Sequence, residues 1–167
     1  MIRNLIAFPL LALVVIVQAT VISQITLLAG YADLMLVILA ALALKADTAS
    51  SWLWAILGGA MVSFVSRAPW PVTMTGYLFT VLLAQLLKQR VWQVPILAMF
   101  SVIFIGTLTM GILVLFVLNL LGTRLPIGDS LGLIVLPSML LNMLFAVPVY
   151  AIVRDLALWV SPIQEVE

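Results

Sequence analysis

The sequence predicts an all-α integral membrane protein that forms one bundle of six transmembrane helices. Two observations lead to this prediction. Hydrophobic residues make up 66% of the 167 residues and charged residues only 8%, whereas about a quarter of the residues of a soluble domain are charged. The apolar residues also fall into six runs, each long enough or nearly long enough for a membrane span. We therefore expect a single transmembrane domain over residues 1–167.

The charge and the residue inventory exclude several classes of function. Seven basic residues against six acidic ones give a net charge of +1, too weak for a nucleic-acid-binding surface. The chain has no cysteine and no histidine, so disulfides, thiolate nucleophiles, imidazole bases and the usual zinc and haem ligands are excluded. No paired acids and no serine beside a base stand out. We expect no catalytic residue, no metal and no cofactor, with membrane lipid and not nucleic acid around the chain.

The first three spans are expected over residues 5–23, 33–46 and 52–66. The first is longer than the apolar core of a signal peptide and has poor cleavage sites, so we expect an uncleaved helix. The second is short, begins at Asp33, which suits a helix N-terminus, and ends near Lys45. The third is also short and follows a polar turn that contains capping residues.

The last three spans are expected over residues 72–87, 96–121 and 131–160. The fourth follows a stop signal with two prolines and an interfacial tryptophan. The fifth is long for a membrane span, so a tilted helix is expected. Pro137 and Pro148 are expected to bend the sixth.

Basic residues near the span ends predict that both termini lie in the cytoplasm. With the N-terminus inside, five basic residues fall on the inner side and two on the outer side. The inner ones are Arg3, Lys45, Lys88, Arg90 and Arg154, and the outer ones are Arg67 and Arg124. A re-entrant second segment would reverse the topology of everything after it.

The polar stretch between the first two spans holds the first candidates for helix packing or partner binding. Gln18 and Thr20 come late in the first span, and Asp33 begins the second. Polar groups inside hydrocarbon need partners on neighbouring helices. Asp33 has two interpretations, a helix N-cap or a proton or cation site within the membrane, and the preceding Gly30 turn favours the cap. Whether residues 24–33 form a turn or re-enter the membrane stays open.

Small residues in the third span form a second group of candidates. Ala55, Gly59 and Ser63 recur every four residues, and Gly58 lies beside them. This spacing lets two helix backbones approach closely. Packing inside the bundle and contact with a helix of another protein both predict the pattern, and internal packing is the commoner case.

Asn142 lies in the middle of the sixth span. A buried amide in that position needs an interhelical hydrogen bond. Two interpretations account for it: a structural clamp between helices, or a group that binds a ligand with Ser138 as its one polar neighbour. The clamp is the simpler of the two because it needs no further polar residues.

Taken in order along the chain, these features resemble the MreD family of bacterial rod shape-determining membrane proteins. The residues that carry the resemblance are Gln18-Ala19-Thr20, Gly30-Tyr31-Ala32-Asp33-Leu34, Gly58-Gly59, Pro69, Asn142 and Pro148-Val149-Tyr150. Four positions depart from the family pattern. Ala32 stands where the family usually has proline, and Ser63 stands where it often has an acid. Arg67 and Pro71 replace residues that are often glycines around the proline turn.

The resemblance implies a six-helix fold similar to the substrate-binding subunits of energy-coupling factor vitamin transporters, in the bacterial cytoplasmic membrane. It implies a non-enzymatic scaffold that binds MreC and acts with RodA, a class B penicillin-binding protein and, indirectly, MreB, to position peptidoglycan synthesis and maintain cell shape. The alternative is a substrate-binding membrane subunit of a vitamin or small-molecule transporter. That function needs a polar and aromatic pocket, for which Tyr31, Trp70 and Tyr77 are available.

Overall fold

Six helices make up most of the structure, a computed structural model that describes residues 2–45, 48–66, 69–90, 95–123 and 126–160. The first five are Ile2–Thr20 (α1), Leu34–Lys45 (α2), Thr48–Val65 (α3), Trp70–Arg90 (α4) and Pro95–Leu120 (α5). The sixth, α6, is continuous and consists of Ile127–Ser130, a π-helical stretch Leu131–Val135, and Leu136–Val160. Residue 46, Arg67 and Arg124, which entered the predicted spans and topology, lie outside the described residues.

Within the described residues, four helices are long and apolar enough to cross a membrane, judged by length and composition. They are Thr48–Val65, Trp70–Gln89, Pro95–Leu120 and Ile127–Leu156. The apolar helices Phe8–Gln24 and Leu34–Lys45 are shorter. The prediction of an all-α protein with membrane-spanning helices is thus supported in its coarse form, with four candidate spans. The finer prediction of six spans is not supported by helix length.

The central element of the bundle is α2, the shortest of these six helices. Its 12 residues extend about 18 Å, well short of the roughly 30 Å hydrocarbon core of a bilayer. Nine of the 12 are buried, because α1, α3, α4, α5 and α6 all pack against it. A helix that is apolar on every side is buried, either in the interior of a protein or in a membrane. The other helices of the bundle bury this one.

The connection between α1 and α2 is a small β-hairpin. A 3₁₀ turn at Ile22–Gln24 leads into strand β1 (Thr26–Leu27), which pairs antiparallel with strand β2 (Gly30–Tyr31). Leu28 at the turn has a positive φ of 55°. The stretch that the sequence left open, as a turn or a re-entrant segment, is therefore a hairpin.

The hairpin packs against α6 beside Pro137. Proline has no N–H to donate to the carbonyl four residues earlier, which is that of Leu133. The backbone N–H of Ala29 donates to this oxygen at 3.1 Å. Beside it, a Cβ on Gly30 would lie 2.6 Å from the carbonyl oxygen of Ile134 and 2.7 Å from the nitrogen of Ser138. A glycine at position 30 is thus required by the close approach of two backbones.

Large apolar side chains cover the outside of the bundle. Phe64 of α3 is 91% exposed, and Leu120, Leu140 and Leu144 of α5 and α6 are each more than 60% exposed. A soluble monomer rarely exposes contiguous apolar surface on this scale. The outer faces of the long helices are therefore suited to contact with lipid.

Candidate functional site

The start of α2 is buried, and Asp33 caps it. The backbone N–H of Leu36 donates to Asp33 Oδ1 at 3.1 Å, the side-chain-to-backbone bond of an N-cap residue. The hydroxyl of Tyr77, on α4, lies 3.0 Å from both carboxylate oxygens. The positive end of the α2 dipole also favours a carboxylate at this position. The capping interpretation of Asp33 is thus the one that the geometry supports.

Gln18 of α1 satisfies a second donor at the same helix end. Its Oε1 accepts a hydrogen bond from the backbone N–H of Met35 at 2.9 Å. The first N–H groups of a helix have no partner within the helix, and in a buried position each one left unpaired is costly. Gln18 and Asp33 therefore supply, from outside α2, acceptors that water would supply at a protein surface.

Asn142 connects the start of α2 to α5 and α6. Its Oδ1 accepts from the backbone N–H of Asp33 at 2.7 Å, and its Nδ2 donates to Thr107 Oγ1 at 2.9 Å. The side chain is fully buried. One turn earlier on α6, Ser138 Oγ accepts from the backbone N–H of Tyr31 at 3.0 Å. Asn142 therefore bonds both the segment before α2 and helix α5 to α6, the contact between helices that a clamp requires.

These side chains form one connected group, which we call the cap cluster: Gln18, Asp33, Tyr77, Thr107 and Asn142. Four helices contribute to it besides α2 itself. The bonds that the described residues make to the Asp33 carboxylate come from N–H and O–H donors and not from a basic side chain. Nowhere in the described ranges do three Asp or Glu side chains come together in the way a metal site requires. The cap cluster fixes the position of a helix end.

A cavity of about 120 Å³ adjoins the cap cluster, between β2, α5 and α6. One part of its wall is polar and consists of Tyr31, Asp33, Thr107, Ser138 and Asn142. The rest is apolar and includes Met110, Val114, Leu115 and Leu118 of α5 with Ile134 and Val135 of α6. Of the three aromatic residues considered for a pocket, only Tyr31 lines this cavity, while Trp70 is 68% exposed elsewhere.

The small residues of α3 serve contacts inside the bundle. A Cβ on Gly58 would lie 3.0 Å from the sulfur of Met35 on α2, and one on Gly59 would lie 2.8 Å from that of Met74 on α4. Ala55 is fully buried. Ser63 donates to the carbonyl oxygen of Gly59 within its own helix at 2.6 Å. The two glycines therefore allow close packing of α3 on α2 and α4, which is the internal alternative.

Thr20 is not part of the cap cluster. Its hydroxyl donates to the carbonyl oxygen of Ile16, one turn earlier in α1, at 2.7 Å, and the residue is exposed. Thr20 comes two residues after Gln18 in α1, so the two side chains point to different sides of the helix.

The other end of α2 is held by a residue that the sequence did not single out. Gln85 of α4 is buried, and its Nε2 donates to the carbonyl oxygen of Ala43 at 2.9 Å and to Ser51 Oγ at 2.8 Å. Nearby, the Lys45 ammonium lies 5.2 Å from the ring centroid of Tyr150, a cation–π contact. A lone glutamine among leucines was the available signal, since polar residues within apolar spans are usually bonded to another helix.

The comparisons with known proteins find no relative. No family model matches the chain, and no curated protein and no solved structure matches it significantly.

Proposed function

We propose that the chain is a non-enzymatic membrane scaffold of the MreD type, which binds MreC and helps to position peptidoglycan synthesis during cell elongation. The observation that supports this proposal is the cap cluster. Asp33 and Asn142, both among the residues that carry the resemblance, lie 109 positions apart in sequence and are directly hydrogen-bonded. Gln18, also among them, bonds to the same helix end. Their shared role is to hold a buried helix in place, which suits a protein that acts by its shape.

The proposal includes six membrane crossings with both termini in the cytoplasm, in the bacterial cytoplasmic membrane. Short helices are compatible with this arrangement where protein covers their ends, because non-helical backbone at membrane depth is tolerated when other parts of the protein satisfy its polar groups. Both ends of α2 are bonded to side chains of other helices, Gln18 of α1 at the start and Gln85 of α4 at the end. RodA, a class B penicillin-binding protein and, indirectly, MreB complete the proposed assembly.

Co-purification tests the partner. The chain is expressed with tagged MreC in one culture and, as a control, with a tagged single-span protein of unrelated function at a matched level. We expect the chain to be retained by MreC through a mild-detergent wash and to be lost from the control. Equal recovery with both baits, or recovery with neither, would contradict the proposal.

Cysteine crosslinking then identifies the helix face involved, and the absence of native cysteine makes it practical. Single cysteines replace Ile16 on α1 and Ile56 on α3, which are 59% and 50% exposed, and Leu144 on α6, which is 70% exposed. If one helix of MreC docks on one face, crosslinks will be confined to a subset of these positions. Crosslinks of equal yield from all three would indicate random collision in the membrane and not a complex.

A transporter subunit is the second candidate, and the cavity beside the cap cluster is the observation that favours it. The cavity volume is about 120 Å³, whereas pockets for drug-sized ligands have about 300 Å³ or more. The hydroxyl of Tyr77 already donates to Asp33, so this hydrogen is not available to a ligand. Retention of a vitamin by the purified chain at one molecule per protein would support the transporter and contradict the scaffold.

A further inference from the structure

The cavity beside the cap cluster has a polar side and an apolar side, and α5 and α6 contribute residues to both. Asn142, Thr107 and Ser138 supply side-chain polar groups, and α5 and α6 supply the apolar wall. The two helices come close at Gly111, where a Cβ would lie 2.7 Å from a methyl group of Val135. The space beyond this contact, beside Val114 and Leu118, is left between the helices.

The polar side offers hydrogen-bond donors. Asn142 uses its Oδ1 for the Asp33 N–H and one of its two N–H groups for Thr107. Thr107 and Ser138 each accept a bond through the hydroxyl oxygen, and each hydroxyl also carries a hydrogen that it can donate. The bonds made among the described residues thus leave an amide N–H and two O–H groups for a further acceptor.

The charge of the wall limits the kind of molecule that fits. Among the described residues that line the cavity, Asp33 is the one carboxylic acid and none is Lys or Arg. An anionic head would lie beside a carboxylate without a compensating positive charge, which is costly away from water. The carboxylate already accepts from Leu36 and Tyr77, so an ammonium head would compete with existing donors. An uncharged oxygen acceptor meets the available groups best.

The volume of the cavity limits the size of the molecule that can bind in it. An engineered apolar cavity of about 150 Å³ holds benzene, a molecule of six carbons, and this cavity has about 120 Å³. We propose that this cavity is a binding site for an uncharged amphipathic molecule, whose hydroxyl or carbonyl oxygen accepts hydrogen bonds from Asn142, Thr107 and Ser138 and whose chain of about four to six carbons lies between α5 and α6. The site is independent of whether MreC is the partner of the chain.

Thermal unfolding of the full chain in detergent tests the proposal with three probes of equal chain length: 1-hexanol, hexanoate and hexylammonium. We expect 1-hexanol at about three times its dissociation constant to raise the melting temperature by about 2 °C, and the two charged probes to raise it less. A monoacylglycerol with a long chain is the fourth probe. A shift with 1-hexanol alone identifies a small-molecule site, and a shift with both identifies the head region of a neutral lipid.

Variants separate binding in the cavity from partition into the micelle. Val114→Phe fills the cavity, and the matched control Ile112→Phe adds the same ring at a position on α5 that is 50% exposed and does not line it. The shift should disappear in Val114→Phe and persist in Ile112→Phe. Leu118→Phe replaces the first variant if that one does not fold. An equal shift in the filled variant and the control, or an equal shift with hexanoate, would overturn the proposal.

Discussion

The backbone N–H of Asp33 donates to the side-chain oxygen of Asn142 at 2.7 Å, across 109 positions of the sequence. This bond joins the residue that directly precedes α2, the central helix, to the middle of α6. Because Asn142 also bonds to Thr107 of α5, a single amide holds three parts of the chain together.

Asn142→Leu should lower the stability of the chain substantially. The substitution leaves the Asp33 N–H and the Thr107 hydroxyl without their buried partner, at a cost of about 1–3 kcal/mol, or a fall of several degrees in melting temperature at about 2–4 °C per kcal/mol for a chain of this size. The control is Asn119→Leu, since Asn119 is exposed and its side chain donates to the carbonyl oxygen of Leu115 in its own helix. Thermal unfolding in detergent measures both, and equal effects would contradict the clamp.

Asp33→Ala should destabilise the chain more than Asp33→Asn. Alanine removes the cap of α2, which costs about 0.5–2 kcal/mol, and also the acceptor of the Tyr77 hydroxyl. Asparagine keeps an oxygen that can accept from Leu36. Asp129→Ala serves as the control, because Asp129 is exposed near the start of α6. If the role of Asp33 were instead to bind a metal or a transported cation, Asp33→Asn and Asp33→Ala would weaken binding of that cation equally.

Gly30→Ala should loosen the hairpin from α6. The added methyl group would lie within 3 Å of two backbone atoms of α6, a contact that neither backbone can relieve without moving. Gly128→Ala is the matched control, because a Cβ at that position has no neighbour within 4 Å. Hydrogen exchange of the amides at positions 29 and 31 is the measurement. We expect faster exchange in the first variant and no change in the second.

Gln85→Leu should destabilise the opposite end of α2. The carbonyl of Ala43 and the hydroxyl of Ser51 would each lose a hydrogen bond, and we expect a loss of about 1–3 kcal/mol. The same substitution at Gln89, which is exposed on the same helix, should have an effect below about 0.5 kcal/mol. At both positions leucine is favourable in a helix and in a membrane. A Gln85→Leu variant more stable than the native chain would therefore show that the two hydrogen bonds do not contribute to stability.

Local features of the sequence predicted the helices well. The second was expected over residues 33–46 and is observed at Leu34–Lys45, because an acid and a lysine mark its ends. Its expected role as a span is not supported by its length of 12 residues, about 18 Å. Hydropathy alone does not distinguish a helix buried among other helices from one buried in lipid.

The contacts of the cap cluster were only partly predictable. Asn142 and Asp33 could each be recognised as needing a partner, since a buried polar group is costly when unpaired. That they are each other's partners depends on how α6 packs against α2, and no local pattern encodes this. The sequence indicated Tyr77 only for its aromatic ring, whereas its hydroxyl makes the contact with Asp33.

Pro137 has a consequence that its usual description as a helix breaker does not convey. The carbonyl of Leu133 is available to Ala29 because the residue four positions later lacks an N–H. An alanine at position 137 would be the better helix former by about 3 kcal/mol, and it would also add an internal donor that competes for this oxygen. A substitution chosen to improve α6 as an isolated helix is therefore expected to weaken the attachment of a segment more than a hundred residues away in sequence.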